Sequence, residues 1–367
     1  MKRKTLGVYI HIPFCAGKCP YCDFYSVAAE QGVFDEYTKA LVKKAKGLIN
    51  KHGFMADTIY FGGGTPSIIG AKRLSKIIKA FDGAKTRDCE IAVECNPSSV
   101  DEEFFKGIAK SGVNRISLGL QSAVESERKA LGRRSGSESV ARAVELARQS
   151  GISNISLDLM LGVPKQTLES LDYSLNFCLE LDINHISAYI LKIEENTPFF
   201  KNKDSLDLPD EEKQCELYLR VCEVLNKAGL EQYEISNFAK KGFESRHNLK
   251  YWHCEEYIGI GSSAHSFVDG KRFYYERDLN SFIKGVEPIF DCYGGDISEH
   301  FMLSLRLNEG ISFEKLKQRY NYCVTDELIE KAKDFQKMGL LTCDENGIRL
   351  NSKGFLLSNN IISELDL

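Results

Sequence analysis

Apolar positions along this chain follow two alternating rhythms. Short β-branched runs recur at 8–12, 58–61, 91–95, 116–120, 155–159 and 185–190. Between them, Phe34, Tyr37, Leu41, Ala45 and Leu48 repeat every three or four residues, as do Leu74, Ile77, Ile78 and Phe81. That spacing is the buried stripe of a helix. Residues 140–147 and 168–181 predict two more helices, and Asp101 is placed to cap another. Six strand–helix units in succession predict a parallel sheet with right-handed crossovers. Periodicity alone leaves open whether that sheet curls into a barrel or stays doubly wound.

After residue 190 the alternation breaks. A polar segment covers 194–210, a helix 211–228 and a strand 232–235, and 238–267 reads as a Gly-, aromatic- and His-rich connection. The last stretch predicts helices at 299–307, 313–320 and 325–338, a hairpin over 340–350 turning at Glu345-Asn346-Gly347, and a final helix. This order resembles a winged-helix module. The expected division is a core at 1–195, an extension at 196–294 and a C-terminal α+β domain at 295–367, in line with a length that exceeds one ordinary core.

Hydrophobic residues make up 43% and charged residues 27% of the 367, the balance of a globular protein. The formal charge of −4 supplies no field that would draw nucleic acid. The C-terminal module also lacks an excess of Lys and Arg, which points it toward packing or covering a substrate. Apolar runs are too short to span a bilayer. Lys2, Arg3 and Lys4 precede an apolar stretch, but it is short and leads into a cysteine-rich loop rather than a cleavage site. The expected location is the cytoplasm.

That loop carries the first chemistry. Cys15, Cys19 and Cys22 stand within eight residues, directly after the first strand and Pro13. So short a loop is expected to bring three thiolates toward one point. Thiolates favour soft metals and iron–sulfur clusters. A cubane usually takes four cysteines, and Phe24 stands where a further one could sit, so one iron would be left open. The competing readings are a zinc site, whose paired ligand spacing is absent, and a disulfide with a spare thiol, which needs an oxidising compartment. The nine other cysteines are scattered, as core residues are.

The three-cysteine spacing resembles the radical S-adenosylmethionine (SAM) superfamily. The run Tyr9-Ile10-His11-Ile12-Pro13-Phe14-Cys15, with Asp23-Phe24 after Cys22, is similar to its HemN/HemW branch of oxygen-independent coproporphyrinogen III dehydrogenases and heme chaperones. The resemblance implies a partial six-stranded (β/α) barrel. It implies a 4Fe-4S cluster on Cys15, Cys19 and Cys22, with SAM on the open iron and reductive cleavage of SAM to a 5′-deoxyadenosyl radical. It also implies a SAM site built from Tyr9, Tyr21, Gly63, Gly64, Thr65, Glu94, Gln121, Arg133 and Asp158. The glycines of Gly62-Gly63-Gly64-Thr65-Pro66 suit close backbone approach, and Glu94 suits ribose hydroxyls. Taken singly, each is as well read as a turn glycine or a surface carboxylate.

A second motif, His247-Asn248-Leu249-Lys250-Tyr251-Trp252, contains the single Trp of the chain. Histidine ligates heme iron and aromatics lie against porphyrin faces. By composition alone a hydrogen-bonded buried histidine is the plainer reading. The resemblance makes His247, Asn248, Tyr251 and Trp252 heme-binding candidates, with His253, His265 or a cysteine as other axial ligands. Phe24 in place of a fourth cysteine, and only fourteen residues ahead of Cys15, favour a heme chaperone over the dehydrogenase that decarboxylates two propionates. The expected partners are heme, apo-hemoproteins, an electron donor such as flavodoxin or ferredoxin, a membrane surface touched peripherally and a second copy of the chain.

Overall fold

The computed structural model describes residues 3–133 and 135–365. Lys2 and the extreme residues of the first and last expected domains lie outside the described residues. Six strands are parallel neighbours: β1 (Thr5–Ile12), β2 (Met55–Gly63), β3 (Lys85–Cys95), β4 (Arg115–Gln121), β5 (Asn154–Leu161) and β6 (His185–Ile190). Each predicted run lies inside one of them. Helices Gln31–His52, Ala71–Lys79, Glu102–Lys110, Ser137–Gln149 and Leu168–Glu180 cover the outer face. The Asp101 side chain accepts from the Phe104 amide at 2.8 Å, so it caps as expected.

Alternation in these strands separates two faces. Val8, Ile10, Ile59, Phe61, Ile116, Leu118, Ile155 and Leu157 are buried beneath the helices. Tyr9, His11, Thr58, Tyr60, Glu94, Ser117, Asp158 and Ser187 occupy the intervening positions. A parallel sheet covered on both faces by helices reads as continuous apolar runs. Polar residues on every second position therefore mark the concave, uncovered side of a curved sheet.

Region 196–294, expected as an extension of the core, adds strands to both edges of the sheet. Strands β7 (Glu231–Glu234) and β8 (Asn237–Ala239) extend the sheet antiparallel beyond β6. On the other edge, β9 (Tyr257–Ile260) runs parallel to β1, followed by β10 (His265–Val268), β11 (Lys271–Tyr274) and β12 (Ile289–Tyr293). The expected connection over 238–267 is thus corrected: it holds parts of three strands and the helix Arg246–Trp252. These strands have one to four apolar residues each, too few for a periodicity signal. The result is one twelve-stranded sheet, with β1–β6 as its barrel-like centre.

The C-terminal module has helices Ile297–Ser304, Phe313–Tyr320 and Asp326–Lys337, with strands β13 (Ile311–Ser312), β14 (Leu341–Cys343) and β15 (Gly347–Leu350) in a separate small sheet. It packs against the large sheet through Arg319, which donates to the carbonyls of His253 and Cys254, and through the ion pair of Arg272 with Glu299. No helix among the described residues is long and apolar enough to cross a membrane.

A candidate cofactor mouth at the carboxyl ends of the strands

The cysteine loop leaves β1 at its carboxyl end, where parallel sheets place their ligands. Backbone bonds cinch it. Val27 N donates to Pro13 O at 2.7 Å, Cys15 N to Val27 O at 3.2 Å, and Thr65 N to Phe14 O at 2.8 Å. The loop is therefore stitched to the turn after β2, so the thiols and the glycine triplet share one rim. Gly64 permits this: a Cβ there would lie 2.7 Å from Phe14 O and 3.1 Å from Cys15 Sγ. Gly63 has φ +113°, and a Cβ would reach within 2.5 Å of the His11 ring.

Cys15, Cys19 and Cys22 are all partly exposed and unbridged, whereas Cys89, Cys95 and Cys178 are buried. Cys15 Sγ lies 3.4 Å from Thr65 Oγ1, and Arg133 Nη1 is 3.9 Å from Cys19 Sγ. Burial raises the Cys22 pKa, and Cys19 and Cys15 push it in the same direction. Among the described residues no three His, Cys, Asp or Glu side chains stand close enough to share one metal ion. Convergence at single-ion spacing is not met. In a cubane each thiolate takes its own iron, so its ligands stand farther apart. Three accessible thiols with no fourth beside them fit such a group.

Behind the rim, the concave face gathers most of the expected SAM residues. Tyr60 donates to Glu94 Oε1 at 2.8 Å, and the Tyr9 ring stacks on Tyr60 at 6.3 Å between centroids. Ser117 donates to Asp158 Oδ1 at 2.8 Å. Arg133 Nη2 donates to Gly119 O at 2.8 Å, which holds the guanidinium between β4 and Cys19. Gln121 ends β4 with φ +67°, at a register shift against β5. A non-glycine there is strained. Tyr21 packs edge-on to Phe199 and lies beside Cys19 and Arg133. Burial, with Asp158 nearby, raises the Glu94 carboxyl to about 7 even though Tyr60 donates to it. Burial raises Asp158 too.

Residues that the sequence reading missed complete the face. His11 Nε2 donates to Tyr25 O at 3.1 Å, which fixes the tautomer, so Nδ1 accepts from Tyr9 Oη at 3.0 Å. Burial lowers His11 to about 4, so the ring is neutral. Tyr60 and His11 were detectable: they alternate in step with Glu94 and Tyr9. Glu234 and Asn237 were not, because nothing in sequence says that β7 and β8 join the sheet. Glu234 Oε2 and Asn237 Oδ1 are buried without a partner.

The second motif lies elsewhere. His247 is 1% exposed, on the helix Arg246–Trp252. That helix is held at the amino ends of the strands: Glu90 in β3 accepts from the Arg246 and His247 amides at 3.2 and 3.1 Å, and Arg115 at the start of β4 donates to Phe243 O at 2.7 Å. Both His247 nitrogens are engaged, Nδ1 with Thr58 Oγ1 at 2.7 Å and Nε2 with Tyr251 Oη at 2.8 Å. Burial lowers its pKa to about 3. The ring plugs the floor, at the opposite end of β1–β3 from the thiols, and has no free nitrogen for an iron. Tyr251 is committed to His247, and Asn248 and Trp252 are half-buried on the same floor helix.

Residues 9–178 match the radical SAM superfamily, and residues 296–357 match the HemN C-terminal domain. The heme chaperone HemW of Bacillus subtilis (strain 168) is 36% identical over 370 residues, covering 97% of this chain and 97% of that protein. The heme chaperone HemW of Escherichia coli (strain K12) is 39% identical over 324 residues, covering 84% of each chain. Among solved structures, coproporphyrinogen III oxidase (HemN) of Escherichia coli superposes with a TM-score of 0.85 over 99% of this chain and 90% of that one. Its identity is 22%, so it speaks for the fold.

Proposed function

This chain belongs to the heme chaperone HemW family of radical SAM proteins, and from that premise we propose that it binds heme, one 4Fe-4S cluster and SAM, and passes heme to apo-hemoproteins. The observation that carries the reading is a rim suited to such cofactors: three accessible thiols stitched by backbone bonds to a glycine turn, without a fourth thiol beside them. Cys15, Cys19 and Cys22 would hold the cluster. When bound, the cluster supplies one electron to the sulfonium of SAM.

The chain's own groups position that nucleotide. Gly63, Gly64 and Thr65 offer unhindered backbone for its amino group. Glu94, oriented by Tyr60, offers an acceptor for ribose hydroxyls. Arg133 offers a fixed cation beside Cys19 for a carboxylate. Gln121 and Asp158 line the same face, with Tyr9 behind them, and Tyr21 borders the loop. Flavodoxin or ferredoxin suits the role of electron donor, and the cytoplasm suits the free thiols. Peripheral membrane contact and a homodimer belong to the same proposal.

The competing reading is coproporphyrinogen III dehydrogenation. Phe24, 69% exposed where that branch carries a further cysteine, weighs against it. Anaerobically purified protein should bind heme stoichiometrically and leave coproporphyrinogen III unchanged. Formation of harderoporphyrinogen or protoporphyrinogen in that assay reverses the choice.

A further inference from the structure

Seven histidines are candidates for an iron ligand, and hydrogen bonding together with position separates them. His11, His185 and His247 have both ring nitrogens engaged. His253 is bound to Glu309 at 2.9 Å, and His300 contacts Arg319 at 3.4 Å. His52 ends the first helix, near Asp269 and the amino end of β1. His265 remains. It is exposed, lies on the concave side of the sheet and, among the described residues, has no hydrogen bond to either ring nitrogen.

Its surroundings are those of a flat hydrophobic ligand. Phe267 pairs with Tyr257, and one alternation further along brings His265 beside Gly259, where a side chain would collide with the His265 backbone. Gly259 pairs with Tyr9. Across the other edge, His265 pairs with Tyr274 and Tyr274 with Ile289. Cross-strand partners share a face. The wall therefore runs Tyr9, His265, Tyr274, Ile289, with the His265 main chain filling the side-chain position of Gly259. The Tyr274 ring stacks on the imidazole at 5.7 Å and 25°, and Ile289 is 39% exposed. Arg277 stands close enough to act on both His265 and His11, and its nearest carboxylate oxygen, on Asp23 of the cysteine loop, is 3.9 Å away. The groups that face His265 are Asp291, Arg272 and Arg277. Arg272 is committed to Glu299 and lies over Phe267.

We propose that this wall is the docking face for an iron porphyrin, with His265 as axial ligand and Arg277 facing a propionate. The inference rests on the heme-binding reading and names its site. A neutral imidazole has a lone pair for iron, Tyr274 and Ile289 supply apolar contact, and the wall continues directly from the residues around the cofactor mouth. Partial burial lowers the His265 pKa, in the direction of the neutral ring.

The test is an anaerobic heme titration of cluster-loaded wild type, His265→Ala, Arg277→Ala and His247→Ala. His265→Ala should shift the Soret band and weaken heme binding by roughly tenfold or more, the scale seen when metal-site residues are lost. Added imidazole should restore the wild-type band. Arg277→Ala should weaken binding with the band unmoved, and iron, sulfide and SAM affinity should stay unchanged in both. His265→Ala with wild-type affinity and spectrum overturns this site while leaving the heme-binding reading intact. Wild type that takes up no heme overturns both.

Discussion

The His247 imidazole lies flat beneath the Tyr60 ring, with 5.1 Å between centroids and an interplanar angle of 18°. Tyr60 in turn donates to Glu94. A stacked column thus joins the floor plug to a carboxylate of the mouth, and the motif helix sets the depth of the concave site.

Removing the plug should therefore cost stability first. His247→Ala leaves a cavity and orphans the Thr58 and Tyr251 hydroxyls. The expected loss is about 3 kcal/mol or more, the range for large buried truncations, read as a lower denaturant midpoint. An unchanged midpoint would show that the ring is no structural plug.

The same ring predicts an acid-sensitive fold. His247 and His11 have folded pKa values of about 3 and 4, against about 6.5 in the unfolded chain. Below pH 6.5 the unfolded chain takes up protons that the folded state refuses. The stability these rings contribute is full above pH 6.5 and is lost as pH falls toward 4, at about 1.4 kcal/mol per pH unit for each ring. Chemical denaturation at pH 7 and 5 should show this slope, and His11→Gln should flatten it.

Glu94 has the opposite sign. Its folded pKa of about 7 lies above the ordinary 4.5, so its contribution is full below pH 4.5 and fades as pH rises through 7. Glu94→Gln should be more stable than wild type at pH 8, by about 3 kcal/mol, and should bind SAM more weakly. Equal stability at pH 8 would mean that the carboxylate is well solvated. Calorimetric titration of SAM reads the second effect.

The thiols divide by exposure. Cys19→Ala should lose the iron–sulfur absorbance and labile sulfide. Cys95→Ala should keep both, because Cys95 is buried and burial pushes its thiol far up. Full cluster content in Cys19→Ala would remove it from the ligand set.

Gly63 carries the backbone strain of the rim. Gly63→Ala should cost about 1–3 kcal/mol, because it combines positive φ with the His11 collision, and should weaken SAM binding. Gly47→Ala, on the open face of the first helix with nothing within 4 Å, should instead stabilise by about 0.5–1 kcal/mol. Urea midpoints for the pair decide it.

The six parallel strands, their helices and the three-thiol loop were legible in the amino-acid order because each depends on local chemistry. β-branched runs extend, 3.6-residue stripes bury one side, and a strand ending in Pro13 leads into a short loop whose cysteines have few places to go. Tyr9, Glu94 and Asp158 could be placed on strands for the same reason. Only the folded chain decided that β9 lies beside β1, because a four-residue strand says nothing about a partner some 250 positions away. That one pairing opens the wall bearing His265 beside the cofactor mouth. Likewise the sequence shows that His247 sits among aromatics, while tertiary packing decides that both its nitrogens are spent on hydroxyls at the floor. Which polar atoms remain free is a property of every neighbour at once, and no local pattern carries it.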